Sequence, residues 1–443
     1  MITSEPLIRV GIFEGYSDVH GEFLGRFTIN GSATGEGEFR LSPHGDTLVL
    51  ADGTGRQLAS GHEIGCMADR GGRFILRNVT IGLHFHWERR EDQTFEGGIR
   101  FVLRPDGTVT AINDILLEDY LKSVISSEMS AEAPLEFLKA HAITSRSWLV
   151  AMLERSRRGV APQAPPGGPT RGGEIVRWYT REDHDLYDVC ADDHCQRYQG
   201  STKIVSAVAG EAVAVTRGQF LVHDGDVCDA RFYKACGGIT EEFQSAWEDT
   251  PVPYLSSVTD GPRRREPLHT EEDAERWILS QPAAYCNTKD PSLLRQILPS
   301  FDQETTDFYR WKVEYSRQEL ESIIFQKSGF DIGTLNDMVP LRRGPSGRIT
   351  RLQIVGSKMT FVVGKELEIR RWLSRSHLYS SAFVVRLTRD SKGLPKTIRL
   401  NGAGWGHGVG LCQIGAAAMC AKGFSAEEAV THYFPGANLQ RLY

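Results

Sequence analysis

Residues 118–149, EDYLKSVISSEMSAEAPLEFLKAHAITSRSWL, carry two helical patterns and a break between them. Leu117, Tyr120, Leu121, Val124 and Ile125 recur at i, i+3, i+4, i+7 and i+8, one face of an amphipathic helix. That helix should stop near residues 127–129, and a second should start at Pro134, a residue favoured in the first helical turn. The second helix places Leu135, Leu138, Ala142, Leu149 and Leu153 on one stripe, and Arg146 falls on the same stripe. An arginine on an apolar face needs a partner or a purpose. Glu128 stands at the break. A carboxylate at a helix end beside a core suits acid/base chemistry, because partial desolvation raises its pKa. A solvated helix-end glutamate is the alternative.

Working outward, the first 110 residues read as β, with short apolar runs at 7–13, 47–50, 73–79, 99–103 and 109–112 separated by Gly, Asp and Asn. Residues 157–173 are basic and rich in Pro and Gly, so they form a loop or insertion. From 198 to 260 the pattern is β again, with 205–215 (VSAVAGEAVAV) and 220–227 (FLVHDGDV) as strand candidates. Helices are expected at 271–280 and 317–327, and strands at 349–355, 359–363 and 383–387; the C-terminal segment joins a glycine loop to two helices. No internal repeat is visible. The expectation is an α+β fold with mixed sheets around the helix pair. Its parts would be a β-rich 1–110, a helix pair and β core at 111–261, an inserted α/β subdomain at 262–375, and 376–443 completing the core.

The composition fits this. At 443 residues the chain can bury a real core without a disulfide or metal to hold it together. With 40% hydrophobic residues and 45 glycines, disordered, collagen-like and small disulfide-scaffold classes are excluded. A formal charge of −6 gives no global attraction to nucleic acid, and no apolar run reaches the ~18–20 residues of a membrane span. The start, MITSEPLIRVGIFEGYS, has neither the basic stretch nor the apolar segment of a secretory signal, which taken alone points to the cytoplasm.

Three further constellations could carry chemistry. In HDLYDVCADDHCQ (184–196), His184, Cys190 and Cys195 would give three zinc ligands, with His194 or water as the fourth; a disulfide or two unrelated thiols are the alternatives. The loop GAGWGHGVGLCQIG (402–415) has no βαβ unit to support dinucleotide binding. Close approach to an extended ligand beside Trp405 and His407 fits better, and a structural tight turn is the competing reading. In FYKACGGITEE (232–242), Tyr233 and Lys234 precede a Gly-Gly turn, a place where side chains are presented to ligands. His84 and His86 would share one strand face and read as structural.

Together these motifs resemble the stage II sporulation protein D (SpoIID) family, which includes the amidase enhancer LytB. Besides 118–149 and 402–415, the resemblance runs through YQGSTKIVSAVAGEAVAVTRG (198–218), YKACGGITEEFQSAWED (233–249), PYLSSVTD (253–260), SGRITRLQIVG (346–356) and HYFPGA (432–437). It covers roughly residues 8–443 in order. It implies a lytic transglycosylase that cleaves the MurNAc–GlcNAc bond of peptidoglycan strands stripped of stem peptides, with Glu128 as catalytic acid/base and Arg146 in the same cleft. It implies a glycan groove with Tyr233, Lys234, Trp405, His407 and Gln413, and a structural zinc on His184, Cys190 and Cys195.

Ordinary glycosidases need two carboxyl groups. A lytic transglycosylase uses the sugar's own C6 hydroxyl as nucleophile, so one glutamate with a raised pKa suffices. An arginine in direct contact would lower that pKa, so Arg146 is expected to bind substrate or a neighbouring carboxylate instead of Glu128. Two other readings stand beside this one: a non-catalytic glycan-binding enhancer of a cell-wall amidase, and a zinc hydrolase using His184, Cys190, Cys195 and a bound water. Cys412 and Cys236 depart from the family pattern, where serine and small residues are usual. A peptidoglycan substrate makes the expected location extracytoplasmic, with an export signal removed.

Overall fold

In Val19–Ile29, Val19, Phe23, Phe27 and Ile29 are buried while His20 and Arg26 are exposed, the period of two that a half-buried strand requires. The computed structural model describes residues 2–69, 71–83, 88–158, 173–179, 184–266, 268, 270–299, 302–303 and 305–443. His84, His86 and nearly all of the basic 157–173 segment lie outside the described residues. The fold is α+β, in two compact units: Met1–Arg146 with Arg181–Gln219 and Arg441–Tyr443, and Ser147–Thr180 with Phe220–Gln440.

The first unit is built on an eleven-stranded sheet. Its main path runs Val189–Cys190, Leu7–Tyr16, Val109–Leu116, Gly98–Leu103, Glu63–Ala68, Val19–Ile29, Ala33–His44, Thr47–Asp52, Gln57–Gly61. Arg73–Ile81 pairs with both Val19–Ile29 and Arg89–Glu96. Stacked rings fill its core, with Phe23 at 4.4 Å from Phe39 and Phe74 at 5.3 Å from Phe95. The strand Val109–Leu116 leads directly into helix α1 (Leu117–Glu128), whose five periodic apolar residues are all fully buried. Helix α2 (Leu135–Arg157) follows after a short break.

Residues 205–215, expected as a strand, form helix α3 (Ala207–Val215). Ser206 caps it, its hydroxyl accepting the Val208 N–H at 3.2 Å, and four alanines favour the helix. The valine–alanine alternation that suggested a strand is not an apolar–polar alternation, so it carries no period of two.

Arg146 is fully buried, and its partner is Glu118 on the first turn of α1. Arg146 Nε and Nη2 donate to Glu118 Oε1 and Oε2 at 3.0 and 2.6 Å, and Nη1 donates to the Gln219 carbonyl at 3.1 Å. The Glu118 carboxylate also accepts from the Tyr443 hydroxyl at 2.6 Å and the Gly218 N–H at 3.3 Å. Four donors thus converge on the buried carboxylate, the kind of compensation a buried charge requires.

In the second unit, the sheet Glu174–Val176, Thr360–Gly364, Ile349–Gly356, Leu335–Arg343 and the sheet Arg310–Ser316, Pro395–Ala403, Phe383–Arg389 contribute to one core with the helices Arg317–Ser328 and Glu366–Trp372. Trp311, Ile324, Ile354, Phe361 and Trp372 lie in it. The segment 262–375, expected as an insertion, falls inside this unit. The helices expected at 271–280 and 317–327 are present as Glu271–Leu279 and Arg317–Ser328, the latter capped by the Ser316 hydroxyl. The chain closes with Gln413–Ala421 and Ala426–Tyr433, the second opened by a Ser425–Glu428 capping box.

Removing one member of the buried pair leaves the other charge stranded. Arg146→Met should lower unfolding stability by about 3–5 kcal/mol in urea titration, and the double variant Glu118→Leu/Arg146→Met should recover much of that loss. Equal losses in the single and double variants would contradict this account of the pair.

Candidate active site and metal-ligating cluster

Glu128 is the last residue of α1, and Met129 beyond it turns extended and buried, so the chain breaks with the glutamate at the edge of the core. Glu128 is half-buried, and its Oε1 accepts the Arg197 N–H at 2.8 Å. The Arg197 side chain in turn donates through Nε to Asp193 Oδ1 at 2.5 Å. Tyr120, two α-helical turns before Glu128, stacks on Tyr198 with ring centroids 5.1 Å apart, and its hydroxyl donates to Gln196 Oε1 at 3.4 Å. Burial pushes the Tyr120 hydroxyl well above its ordinary pKa, and the negative charges of Cys195, Cys190 and Glu128 push the same way. It is a neutral donor in a neighbourhood of potential anions.

Of the two roles open to Arg146, the geometry fits the neighbouring carboxylate: its guanidinium is bound to Glu118 and has no exposed surface. Glu118 was missed in the sequence because acidic residues are common in a first helical turn. The signal was present, since Glu118 precedes Leu121 and Ile125 by three and seven on the same apolar face.

The cysteine–histidine segment lies in the same unit. Val189–Cys190 pairs in parallel with Leu7–Tyr16, bringing Cys190 opposite Gly11. The following turn is closed by Cys195 N–H to Asp192 O at 3.0 Å and Tyr198 N–H to Ala191 O at 2.9 Å. His184 Nε2 lies 3.3 Å and His194 Nδ1 3.6 Å from Cys195 Sγ. One donor atom from each of His184, Cys190, His194 and Cys195 lies within 4.8 Å of all the others. Hydrogen bonding to Cys195, and then to His184 and His194, pulls the Cys190 thiol far below its ordinary pKa against the effect of burial. Two thiols and two imidazoles at this spacing fit a tetrahedral ion, with His194 completing the three ligands expected from sequence. Arg197, whose N–H holds Glu128, is two residues beyond Cys195.

The remaining expected site residues belong to the second unit. Phe232–Tyr233 pairs in parallel with Leu411–Cys412, and Ala235 bridges Trp405. Gly404, Gly406, Gly408 and Gly410 all have positive φ, from 75° to 98°. A Cβ on Gly408 would stand 2.4 Å from the Arg348 guanidinium, and one on Gly410 would stand 2.2 Å from the Arg231 carbonyl. The close approach predicted for a ligand is made at these glycines by the protein itself.

Between them, Trp405 is half-buried, with Tyr379 at 4.3 Å and Phe308 at 4.9 Å between ring centroids. His407 is half-buried, with Tyr233 and Trp247 edge-on at 5.3 and 4.9 Å. Its Nδ1 accepts the Val409 N–H at 3.1 Å, and burial, followed by the charges of Arg231 and Arg348, keeps the imidazole neutral well below its usual pKa. Tyr233 and Gln413 are buried, and Lys234 is paired with Asp302 at 2.7 Å. The aromatic neighbours Trp247, Phe308 and Tyr379 were not singled out in the sequence, because they come from segments distant from the glycine loop.

Residues 105–223 match the family described as Stage II sporulation protein (SpoIID), and residues 241–410 match a domain of unknown function (DUF8618). Stage II sporulation protein D of Bacillus amyloliquefaciens is 26% identical over 330 residues, covering 74% of this chain and 75% of that protein. An uncharacterized protein of Brachyspira hyodysenteriae is 24% identical over 345 residues, covering 78% of this chain and 72% of its own length. The amidase enhancer of Bacillus subtilis is 23% identical over 338 residues, covering 72% of this chain and 40% of its own length. The match to the Stage II sporulation protein family spans Glu128, Arg146 and the whole cysteine–histidine segment, and over most of its length the chain is similar to Stage II sporulation protein D and to an amidase enhancer.

Proposed function

We propose that this protein is a peptidoglycan lytic transglycosylase acting outside the cytoplasm on glycan strands freed of stem peptides, with Glu128 as its single acid/base. The observation that carries the reading is the setting of Glu128: half-buried at a helix end and held through Oε1 by a backbone N–H, while the Arg146 guanidinium is bound to Glu118 at the opposite end of the same helix. The protonated Glu128 carboxyl gives its proton to the glycosidic oxygen as the C1–O4 bond breaks. The resulting carboxylate takes the proton of the C6 hydroxyl as that oxygen closes on C1, leaving a 1,6-anhydroMurNAc end. Glu128 is regenerated in its acid form, and no water enters the bond.

His184, Cys190, His194 and Cys195 would hold a structural zinc ion, which supplies rigidity to the turn. Through the Arg197 N–H, that turn keeps the Glu128 carboxylate in place. The half-buried Trp405 and His407 offer an aromatic face and a neutral imidazole to sugar. Relatedness to an amidase enhancer supports a second reading, in which the chain binds glycan and stimulates a cell-wall amidase without cleaving.

The deciding experiment incubates the protein with intact and amidase-treated peptidoglycan and identifies the products by mass. Anhydro-ended fragments are expected, falling by roughly 10²-fold or more in Glu128→Gln with the circular dichroism spectrum unchanged. Undiminished cleavage by that variant would overturn the assignment, and amidase stimulation without anhydro product would establish the enhancer reading.

Zinc removal by a chelator, or Cys190→Ser, should lower the melting temperature and the cleavage rate together while the remaining product keeps its anhydro end. Hydrolytic ends that vanish with the metal would instead mark a zinc hydrolase.

A third measurement follows from His407. Below about pH 6.5 the unfolded chain binds a proton that the folded imidazole refuses, so stability falls as pH drops through that value. His377, lowered to about 4 chiefly by burial, and His432 act in the same direction. In urea titrations between pH 7.5 and 5.5, His407→Gln should therefore show a shallower loss of stability than wild type.

A further inference from the structure

Three of the eight cysteines, at 236, 286 and 412, meet Asp260 in the interior of the second unit. All four residues are buried, and one donor atom from each lies within 4.8 Å of the others. Cys236 Sγ and Cys286 Sγ are 3.4 Å apart. That is far beyond the ~2.05 Å of a disulfide and close to the ~3.8 Å between two sulfurs sharing a tetrahedral ion at ~2.3 Å. The sulfurs also receive backbone donors: the Gly238 N–H points to Cys236 Sγ at 3.2 Å and the Cys236 N–H to Cys412 Sγ at 3.3 Å. Without an ion, burial pushes all three thiols well above their ordinary pKa, so they stay protonated until coordination displaces the protons.

Asp260 is oriented from both sides. Its Oδ1 accepts the Tyr433 hydroxyl at 2.5 Å and its Oδ2 the Cys286 N–H at 2.8 Å, the kind of outer support that fixes a metal-ligating carboxylate. Space is kept open at this point, since a Cβ on Gly415 would stand 2.5 Å from Asp260 Oδ1 and 3.1 Å from Cys412 Sγ. Positive charge is also at hand. Arg310 Nη1 donates to the Gly237 carbonyl at 2.9 Å and Arg348 Nη1 to the Cys236 carbonyl at 3.2 Å. A divalent ion on three thiolates and a carboxylate is left with net negative charge, and two guanidiniums on the same turn offset it.

We propose that Cys236, Asp260, Cys286 and Cys412 form a second, closed zinc site. The soft, thiolate-rich donor set selects zinc over magnesium or calcium, and complete burial leaves no position for a substrate. Binding releases the three thiol protons to solvent as the three Zn–S bonds form. The ion joins segments 233–238, 260, 285–286 and 411–415, and so fixes the Gly-Gly turn against the start of the helix Gln413–Ala421.

Metal content of the purified full-length chain, measured by plasma mass spectrometry, tests the proposal. Two zinc ions per chain are expected, with one retained in Cys190→Ser/Cys195→Ser and one in Cys412→Ser. If Cys412→Ser does not fold, the Cys190→Ser/Cys195→Ser variant still decides, because its remaining ion must come from the second site. Cobalt loaded into that variant should show thiolate-to-metal charge-transfer absorption. Zinc abolished entirely by Cys190→Ser/Cys195→Ser would overturn the proposal. So would a titration of denatured, unreduced Cys190→Ser/Cys195→Ser that finds two thiols fewer than its remaining six, a deficit lost again on adding Cys412→Ser, which would mean a disulfide within this cluster.

Discussion

A guanidinium with no exposed surface needs acceptors, and Arg146 finds them in Glu118, the Gln219 carbonyl and the Thr216 hydroxyl. Because the two side chains lie on successive helices, satisfying that charge ties the start of α1 to the middle of α2. Glu128 occupies the break between the helices. The Arg146 charge is held at Glu118, about 15 Å along the helix axis from Glu128, so it does not act as a direct partner that would favour the Glu128 carboxylate. An apolar replacement of the pair could be as stable; what the ions add is a single geometry for the helices, since the bidentate contact tolerates little sliding.

Glu128 itself is held through the Arg197 N–H. That donor is carried on a turn whose shape depends on Cys190, His194 and Cys195. A metal ion there acts on the carboxylate at one remove, by holding a backbone amide in place. This separates the proposed zinc from the chemistry: its loss should loosen Glu128 without changing the kind of product formed. Tyr120 and Tyr198, stacked beneath the turn, give it a rigid floor.

Local pattern made much of this legible. The helix pair follows from apolar spacing, and His184, Cys190 and Cys195 were visible because they crowd into twelve residues. What failed was mostly long-range. Glu118 and Arg146 are 28 residues apart; Arg146 stood out as a charge on an apolar face, and its partner was not recognised. Cys236, Asp260, Cys286 and Cys412 span 177 positions and share no local spacing. The helix Ala207–Val215 failed for a different reason: a run apolar on all sides has no period to read, so capping by Ser206 decided the outcome. Tyr233 and Lys234 look like presented residues in sequence, and the resemblance added Gln413, yet Tyr233 and Gln413 are buried and Lys234 is paired with Asp302.

The glycine loop shows why a cluster of thiols would be useful where it stands. Five glycines between 402 and 410 bring backbone against backbone and leave little side-chain surface to bury, so hydrophobic packing alone holds such a segment weakly. Each glycine also gives up more conformational freedom on folding than any other residue. Arg348, bound to the carbonyls of Cys236 and Gly406, ties part of the segment down. Hydrogen bonds to carbonyls still leave the neighbouring turn free to hinge. An ion joining Cys236 and Cys412 removes that freedom at the two strand ends, Phe232–Tyr233 and Leu411–Cys412, between which the half-buried Trp405 and His407 are displayed. Fixing those ends by coordination lets the loop remain nearly all backbone while its two large side chains keep one position.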